Sequence, residues 1–488
     1  MTKGLFVKKS IKTLLDEAQE SQHVMKRSLG AVTLIAMGIG AIIGAGIFVL
    51  TGQAAAEYAG PGILLSFVLA AIICVFAALC YAEFASLIPI SGSAYTYAYA
   101  TMGELVAWII GWGLTMEYLF SAATVSVGWS GYLVSLFRDF GIIIPADYAN
   151  APMSYEIATG WAKTGAVINL PAMLIVALMG TLVAVGIKAA ASFNNVMVVI
   201  KLSVIALFIA CGIAYINSDN LTPFVPSNTG TFGQFGFSGV LRGAGVVFFA
   251  FIGFDALSTM AQECRNPQKH MPIGMLGSLT ISTLVYIVVG VVLLGVVSYT
   301  MLNVPDPIAV AVNAFGPKFL WLRFVIKIAI LAGLTSVVLV MILGQARIFY
   351  TIAKDGLLPK SFSKISPRFQ TPFFSTVVVS LVCLVLAGFF PVGILGQLTC
   401  MGALLAFAIV CFGILVLRYK QPTLHRPFKT PFVPWIPLAG TIACIIQMIA
   451  LPGVTWVQFV IWMVIGCFIY FTYSIKHSRV RLQQMKKK

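Results

Sequence analysis

The sequence predicts an all-α polytopic membrane protein of twelve transmembrane helices, arranged as two five-helix halves followed by two further helices. Three observations carry this reading. The 488-residue chain is 60% hydrophobic and only 9% charged, with a mean hydropathy of +0.98, more apolar surface than a soluble fold can hide. Apolar runs long enough to cross a bilayer recur along the whole chain. The first and sixth of these runs are interrupted at corresponding places, the pattern of a membrane fold built from internal repeats.

The runs fall at roughly 30–56, 62–88, 103–137, 168–188, 193–216, 237–262, 272–297, 319–346, 373–390, 395–418, 434–451 and 456–475. They divide the chain into a tail (1–28), a first repeat (29–216), a second repeat (237–418), a closing pair of helices (434–475) and a basic tail (476–488). The third run is too long for one straight span and should extend beyond the apolar layer. Of the 31 Lys and Arg, 24 fall on the side that carries both ends of the chain. Arg138, Lys163 and Lys318 alone fall on the other side, and four more lie within spans. By the positive-inside rule both termini are cytoplasmic and the protein sits in the cell membrane. Topology thus accounts for the net charge of +16, and no nucleic-acid partner is implied.

The first apolar run precedes eleven others and lacks a small-residue cleavage site, so it is expected to be a span rather than a signal peptide. The segment before Met25, with Lys8, Lys9 and Lys12 around Leu14 and Leu15, is at most a short interfacial helix. The nine Cys form no CxxC pair, and His23, His270, His425 and His477 all lie in tails or loops. No metal centre and no cofactor are expected, and an enzyme is not the expected class.

Within the first span the stretch GIGAIIGAGIF (38–48) places four glycines in a helix interior, where each costs about 1 kcal/mol relative to Ala. Gly40 and Gly44 form a GxxxG, which by itself reads as close helix packing. The sixth span carries a second weak stretch, VFFAFIGFDALS (247–258), with Gly253 and Asp255 at membrane depth. Packing does not account for this second break. Unwound backbone is tolerated inside a bilayer only where it lines a protein cavity or meets a ligand. Free N–H groups at a half-helix N-terminus attract a carboxylate, and free carbonyls at a half-helix C-terminus accept from an ammonium. A site with both suits an α-amino acid.

These stretches, with CYAEFASLIPISGSAY (80–95), FFAFIGFDALSTMAQECRNPQKHMPIG (248–274) and ARIFYTIAKDGLLP (346–359), resemble the amino acid–polyamine–organocation superfamily. Within it they are most similar to the cationic amino acid transporters and their bacterial members. The resemblance runs from Leu29 to about Lys476. It implies the inverted-repeat fold of the leucine transporter with two extra C-terminal helices, and secondary transport of amino acids by alternating access. It further implies substrate contacts from Ile43, Gly44, Ala45 and Gly46 in the first break and from Phe248, Phe249, Ala250 and Ile252 in the second. Phe249 is then the ring that closes over the substrate from outside. Met341, on the eighth span, turns toward the substrate side chain, where the mammalian cationic transporters carry a serine. A long apolar side chain there favours small or medium neutral amino acids over cationic ones; the alternative is ordinary core filling.

Ionisable groups inside a span are costly and therefore functional by default. Glu117 lies about thirteen residues into the third span, Asp255 at the break of the sixth, and Lys201 eight residues into the fifth, about 12 Å from its start. The resemblance packs the fifth span beside the first, bringing Lys201 to the unwound carbonyls, in the region where sodium-coupled relatives hold a sodium ion. Burial disfavours the charged form of an amine, which suits Lys201 to carrying a coupling proton; the alternative is snorkelling to the interface. Glu117 and Asp255 either handle protons or substrate, or form a buried pair that shapes the break. Thr335 and Ser336 offer hydroxyls for sodium instead. Arg242, Arg323 and Lys327 are expected to snorkel to the outer headgroups. Glu83, Lys354 and Asp355 are, by resemblance, inner-side gating contacts. The expected partners are an amino acid, protons and the bilayer. Proton symport leads; an uncoupled exchanger and an amino acid sensor are the alternatives. A sensor would be expected to carry a long signalling domain, and a channel would need a continuous polar lining that few spans offer.

Overall fold

A computed structural model describes residues 6–10, 29–89, 92–156, 160–185, 187–316 and 319–486. The expectation of a short interfacial helix around Lys12, Leu14 and Leu15 lies outside the described residues. Eight helices are long and apolar enough to cross a membrane, and four shorter apolar helices accompany them among the described residues. The chain is an integral membrane protein.

The first span splits as its glycines imply. Helix α1 (Ala31–Ile42) stops where Ile43 turns extended, and helical winding resumes as a π turn at Gly46–Leu50. The chain reverses at Gly60, whose φ of +57° favours glycine, into α2 (Ile63–Leu87). A short helix α3 (Ser93–Thr101) leads to α4 (Glu104–Asp139). At 36 residues α4 is about 54 Å long, well beyond the ~30 Å hydrocarbon layer. Strands β1 (Met153–Glu156) and β2 (Gly160–Lys163) then pair antiparallel. This hairpin corrects the all-α expectation: it lies in a polar connection without helical periodicity, and Tyr155 and Trp161 meet across it with ring centroids 5.3 Å apart and planes tilted by 59°.

Next come α5 (Leu170–Val185), α6 (Ile187–Gly212) and α7 (Gly236–Val247). The sixth span then loosens into tighter 3-10 turns at Phe248–Phe251 and Asp255–Glu263, separated by an extended Ile252 and by Gly253 at φ +117°. The rest comprises α8 (Pro267–Val296), the short α9 (Pro307–Asn313), α10 (Leu320–Lys354), α11 (Phe373–Phe389), α12 (Val392–Lys420), α13 (Trp435–Ala450), α14 (Gly453–Ile469) and α15 (Arg479–Lys486).

Packing sorts the helices into two groups. Helices α1 and α2 pack against α8, and α7 packs against α2, while α4, α5, α10 and α11 pack against one another. Helix α12 lies along α4, and α6 lies along α10. Both breaks fall between the groups, at the centre of the buried core.

Candidate functional site

The two breaks touch. Gly46 lies so close to the sixth span that a Cβ on it would sit 2.2 Å from Ala250 Cα and 2.7 Å from Ala250 N. Gly253 lies as close to the first, where a Cβ would be 2.8 Å from the carbonyl oxygen of Ala41. Two unwound backbones therefore cross in contact, which only glycine permits at those two points. The GxxxG pair is also explained within the chain: a Cβ on Gly40 would meet Val198 and one on Gly44 would meet Val337. Packing and unwinding are both at work here, on neighbouring glycines.

Ending α1 early frees carbonyls that need partners in an apolar interior. Lys201 Nζ supplies two hydrogen bonds, to the carbonyl oxygens of Gly40 and, at 2.9 Å, of Ile43. Its side chain is fully buried, so it does not snorkel. On its other side Gly333 of α10 leaves room for it, since a Cβ there would lie 3.2 Å from Lys201 Cβ. Thr335 and Ser336 bond back to the carbonyls of Leu331 and Gly333 on their own helix.

Tyr286 of α8 binds both breaks: its hydroxyl lies 2.9 Å from the Ile42 carbonyl and 2.6 Å from the Ala250 carbonyl. One proton is shared between two acceptors, so the hydroxyl pins the breaks to each other. Tyr132 donates to the Phe48 carbonyl and Thr51 to that of Gly46. These hydroxyls were invisible in the sequence, where nothing separates Tyr286 from the other fifteen tyrosines.

Asp255 accepts hydrogen bonds from the Tyr118 hydroxyl (2.9 Å) and the Gly253 amide (3.2 Å). Glu117 is fully buried and neither of its oxygens has a partner. No Lys or Arg pairs with either carboxyl among the described residues. Glu117 also faces α12, where a Cβ on Gly402 would lie 3.0 Å from its backbone nitrogen.

Ile43, Gly44, Ala45, Phe248, Phe249, Ala250 and Ile252 are all buried at the crossing. Phe248 and Phe254 pack on Phe407, and Phe251 packs on Phe67 and Tyr286. Met341 is buried on α10, one turn before Gln345, whose amide donates to Thr115 while its oxygen is unpartnered.

Of the three basic residues expected at the outer headgroups, Lys327 and Arg242 are held inside, and Arg323 is partly exposed. Lys327 is 2% exposed and pairs with Asp139 at 2.6 Å. Arg323 joins the same carboxylate at 3.1 Å. Arg242 is buried, donating to the Ala450 carbonyl over the Phe232 ring. Helical spacing put Arg323 and Lys327 on one face, but only the fold brings the end of α4 to that face.

On the opposite side, Glu83 is buried under Arg418, Arg426 and the Thr430 amide, tying α2 to α12. Asp355 pairs with Lys9 at 3.0 Å and accepts from the Tyr95 hydroxyl at 2.8 Å. Lys354 lies over the Tyr350 ring. Glu104, deeply buried, gathers Tyr99, Tyr470, Ser478 and Arg481.

With this geometry in hand, similarity to known proteins identifies the family: the amino acid permease profile matches residues 29–473. The chain belongs to the amino acid permease family. Its superfamily resemblance through the quoted motifs stands. This permease is 44% identical to the methylthioribose transporter of Bacillus subtilis over 475 residues, 97% of this chain and 99% of that one. It is 43% identical to the branched-chain amino acid permease BcaP of the same organism over 481 residues, 98% and 100% of the two chains. The vacuolar cationic amino acid transporter 4 of Arabidopsis thaliana is 34% identical over 410 residues, 83% of this chain and 65% of that one. These relatives are transporters and permeases, not enzymes.

Proposed function

We propose that this permease carries neutral L-amino acids across the cell membrane by alternating access, in symport with protons. The observation that carries the proposal is the contact between two broken helices at the buried centre. The π turn starting at Gly46 offers first-turn N–H groups without a preceding helical carbonyl, suited to the substrate carboxylate. Ile43, Gly44, Ala45 and Gly46 then form one half of the site, and Phe248, Phe249, Ala250 and Ile252 the other, with Phe249 as its lid.

Lys201, bonded to the carbonyls of Gly40 and Ile43, is proposed as the coupling group. Losing its proton would remove the charge that strengthens both bonds, loosening its hold on the end of α1 and linking protonation to movement. Glu117 and Asp255 are proposed to exchange protons with the path. The proposed topology is twelve spans in a five-plus-five inverted repeat (29–216 and 237–418) plus the pair at 434–475, with the tails 1–28 and 476–488 in the cytoplasm.

Met341 narrows the side-chain end of the site, excluding a guanidinium that would be buried without a partner. The branched-chain name of one relative supports neutral substrates. A second reading, methylthioribose uptake, is supported by the name of the relative at 44% identity.

Uptake into empty proteoliposomes tests both. Labelled leucine should accumulate under an imposed inside-alkaline gradient and stop accumulating when a protonophore is added. Uptake that needs preloaded internal amino acid would replace symport by exchange. Methylthioribose outcompeting leucine would transfer the assignment to the second reading.

A further inference from the structure

On the exposed side of α8, at the end that begins with Pro267, a groove of about 720 Å³ runs down the helix. Pro272, Ile273, Leu276 and Ile281 form its apolar floor, and Phe428 of the α12–α13 connection forms a wall. Gln268 and Lys269 stand at its mouth. Lys429, exposed, follows Phe428 directly.

The wall is built rather than loose. Arg426 donates to the carbonyls of Gln421 and Leu424 at 2.7 Å each, and Thr430 bonds to the Glu83 carboxylate and the Leu79 carbonyl. Glu83 is thereby occupied by Arg418, Arg426 and Thr430, and none of the groove's lining residues is acidic. Lys269 at the mouth and the exposed Lys429 beside the wall thus carry positive charge with no acidic residue among the groove's lining. Exposed Phe432 and Trp435 near the same wall mark the level of the headgroups.

We propose that this groove holds one acyl chain of an anionic phospholipid, with its phosphate on Lys269 and Lys429. The dimensions match a single leaflet. From Lys269 to Ile281 is twelve residues, about 18 Å along the helix, against about 15 Å for half of the hydrocarbon layer. Helix α8 also bears on the first half-helix: Gly274 brings Leu34 against it, and Gly277, at the groove itself, meets Ile35. A lipid in the groove thus braces the helix on which α1 rests.

The test is native mass spectrometry of the full-length protein, released from micelles holding equal amounts of phosphatidylglycerol and phosphatidylcholine. The parent should retain phosphatidylglycerol preferentially. Lys269→Gln and Lys429→Gln should each lower that preference by on the order of fivefold, while Lys364→Gln, exposed elsewhere on the same side, should leave it unchanged. Thr280→Trp, at an exposed position on the groove's floor, should reduce retention of both lipids. Equal retention of the two lipids by the parent would overturn the proposal. So would an unchanged ratio in both lysine variants, or an equal loss with Lys364→Gln, which would mean diffuse attraction to a basic face. Displacement of the lipid by glycerol phosphate alone would show a phosphate site without an acyl groove, and would also overturn it.

Discussion

Gly46→Ala is the smallest change that tests whether the crossing of the two breaks is the substrate site. The new methyl would lie 2.2 Å from Ala250 Cα, 2.5 Å from its Cβ and 2.7 Å from its nitrogen. Ordinary contact begins at 3.4 Å, so the backbones must separate by about 1.2 Å or more. No rotamer relieves this, because the obstacle is main chain. Overpacking of this kind costs about 1–3 kcal/mol. The separation also stretches the shared bonds of Tyr286, now 2.6 and 2.9 Å, adding about 1 kcal/mol. If substrate binds across the crossing, affinity should fall by roughly 30-fold or more, since each 1.4 kcal/mol is about tenfold. Gly44→Ala is the graded comparison: its methyl would meet the side chain of Val337 at 3.2 Å, a far smaller overlap and with a side chain rather than main chain, so a loss of only a few-fold is expected. The assay is equilibrium binding of labelled leucine to purified protein, with size-exclusion profiles to verify folding. Parental affinity in Gly46→Ala would refute the placement of the site at the crossing.

Three other variants probe separate parts of the reasoning. Lys201→Met orphans the carbonyls of Gly40 and Ile43, which should cost about 1–3 kcal/mol of stability and abolish accumulation driven by a pH gradient; gradient-driven uptake in this variant would exclude Lys201 as the coupling group. Met341→Ser should raise the ability of arginine to compete with labelled alanine, and an unchanged arginine-to-alanine ratio would place Met341 outside the pocket wall. Asp139→Asn strips the carboxylate from Lys327, which is 2% exposed, and should destabilise by about 3–5 kcal/mol; thermal unfolding of Asp139→Asn beside Asp139→Asn/Lys327→Met should show the double variant recovering much of the loss.

Much of this protein was determined by local sequence. Apolar run length fixed which segments are membrane helices, because a bilayer admits few alternatives to a closed hydrogen-bonded helix. The glycines at 38–46 and Gly253 located both breaks, because unwinding and close approach each demand residues without a Cβ. Lys201, Glu117 and Asp255 stood out because an ionisable group in an apolar run is expensive enough to need a reason. What remained for tertiary structure was every partner. Tyr286 pins the breaks together from a helix that approaches both at once, and its hydroxyl reads locally like that of any tyrosine. Asp139 captures Lys327 and Arg323 because α4 and α10 run side by side, so Lys327, expected to reach for headgroups, is buried in an ion pair that the partly exposed Arg323 joins. The hairpin at 153–163 forms by pairing two short polar segments that carry no membrane signal. A hydrogen bond or ion pair between distant segments depends on distance in space, and local periodicity reports only which face of its own helix a residue occupies. The sequence therefore revealed the groups that need partners, and the packing of α4, α8 and α10 decided which partners they found.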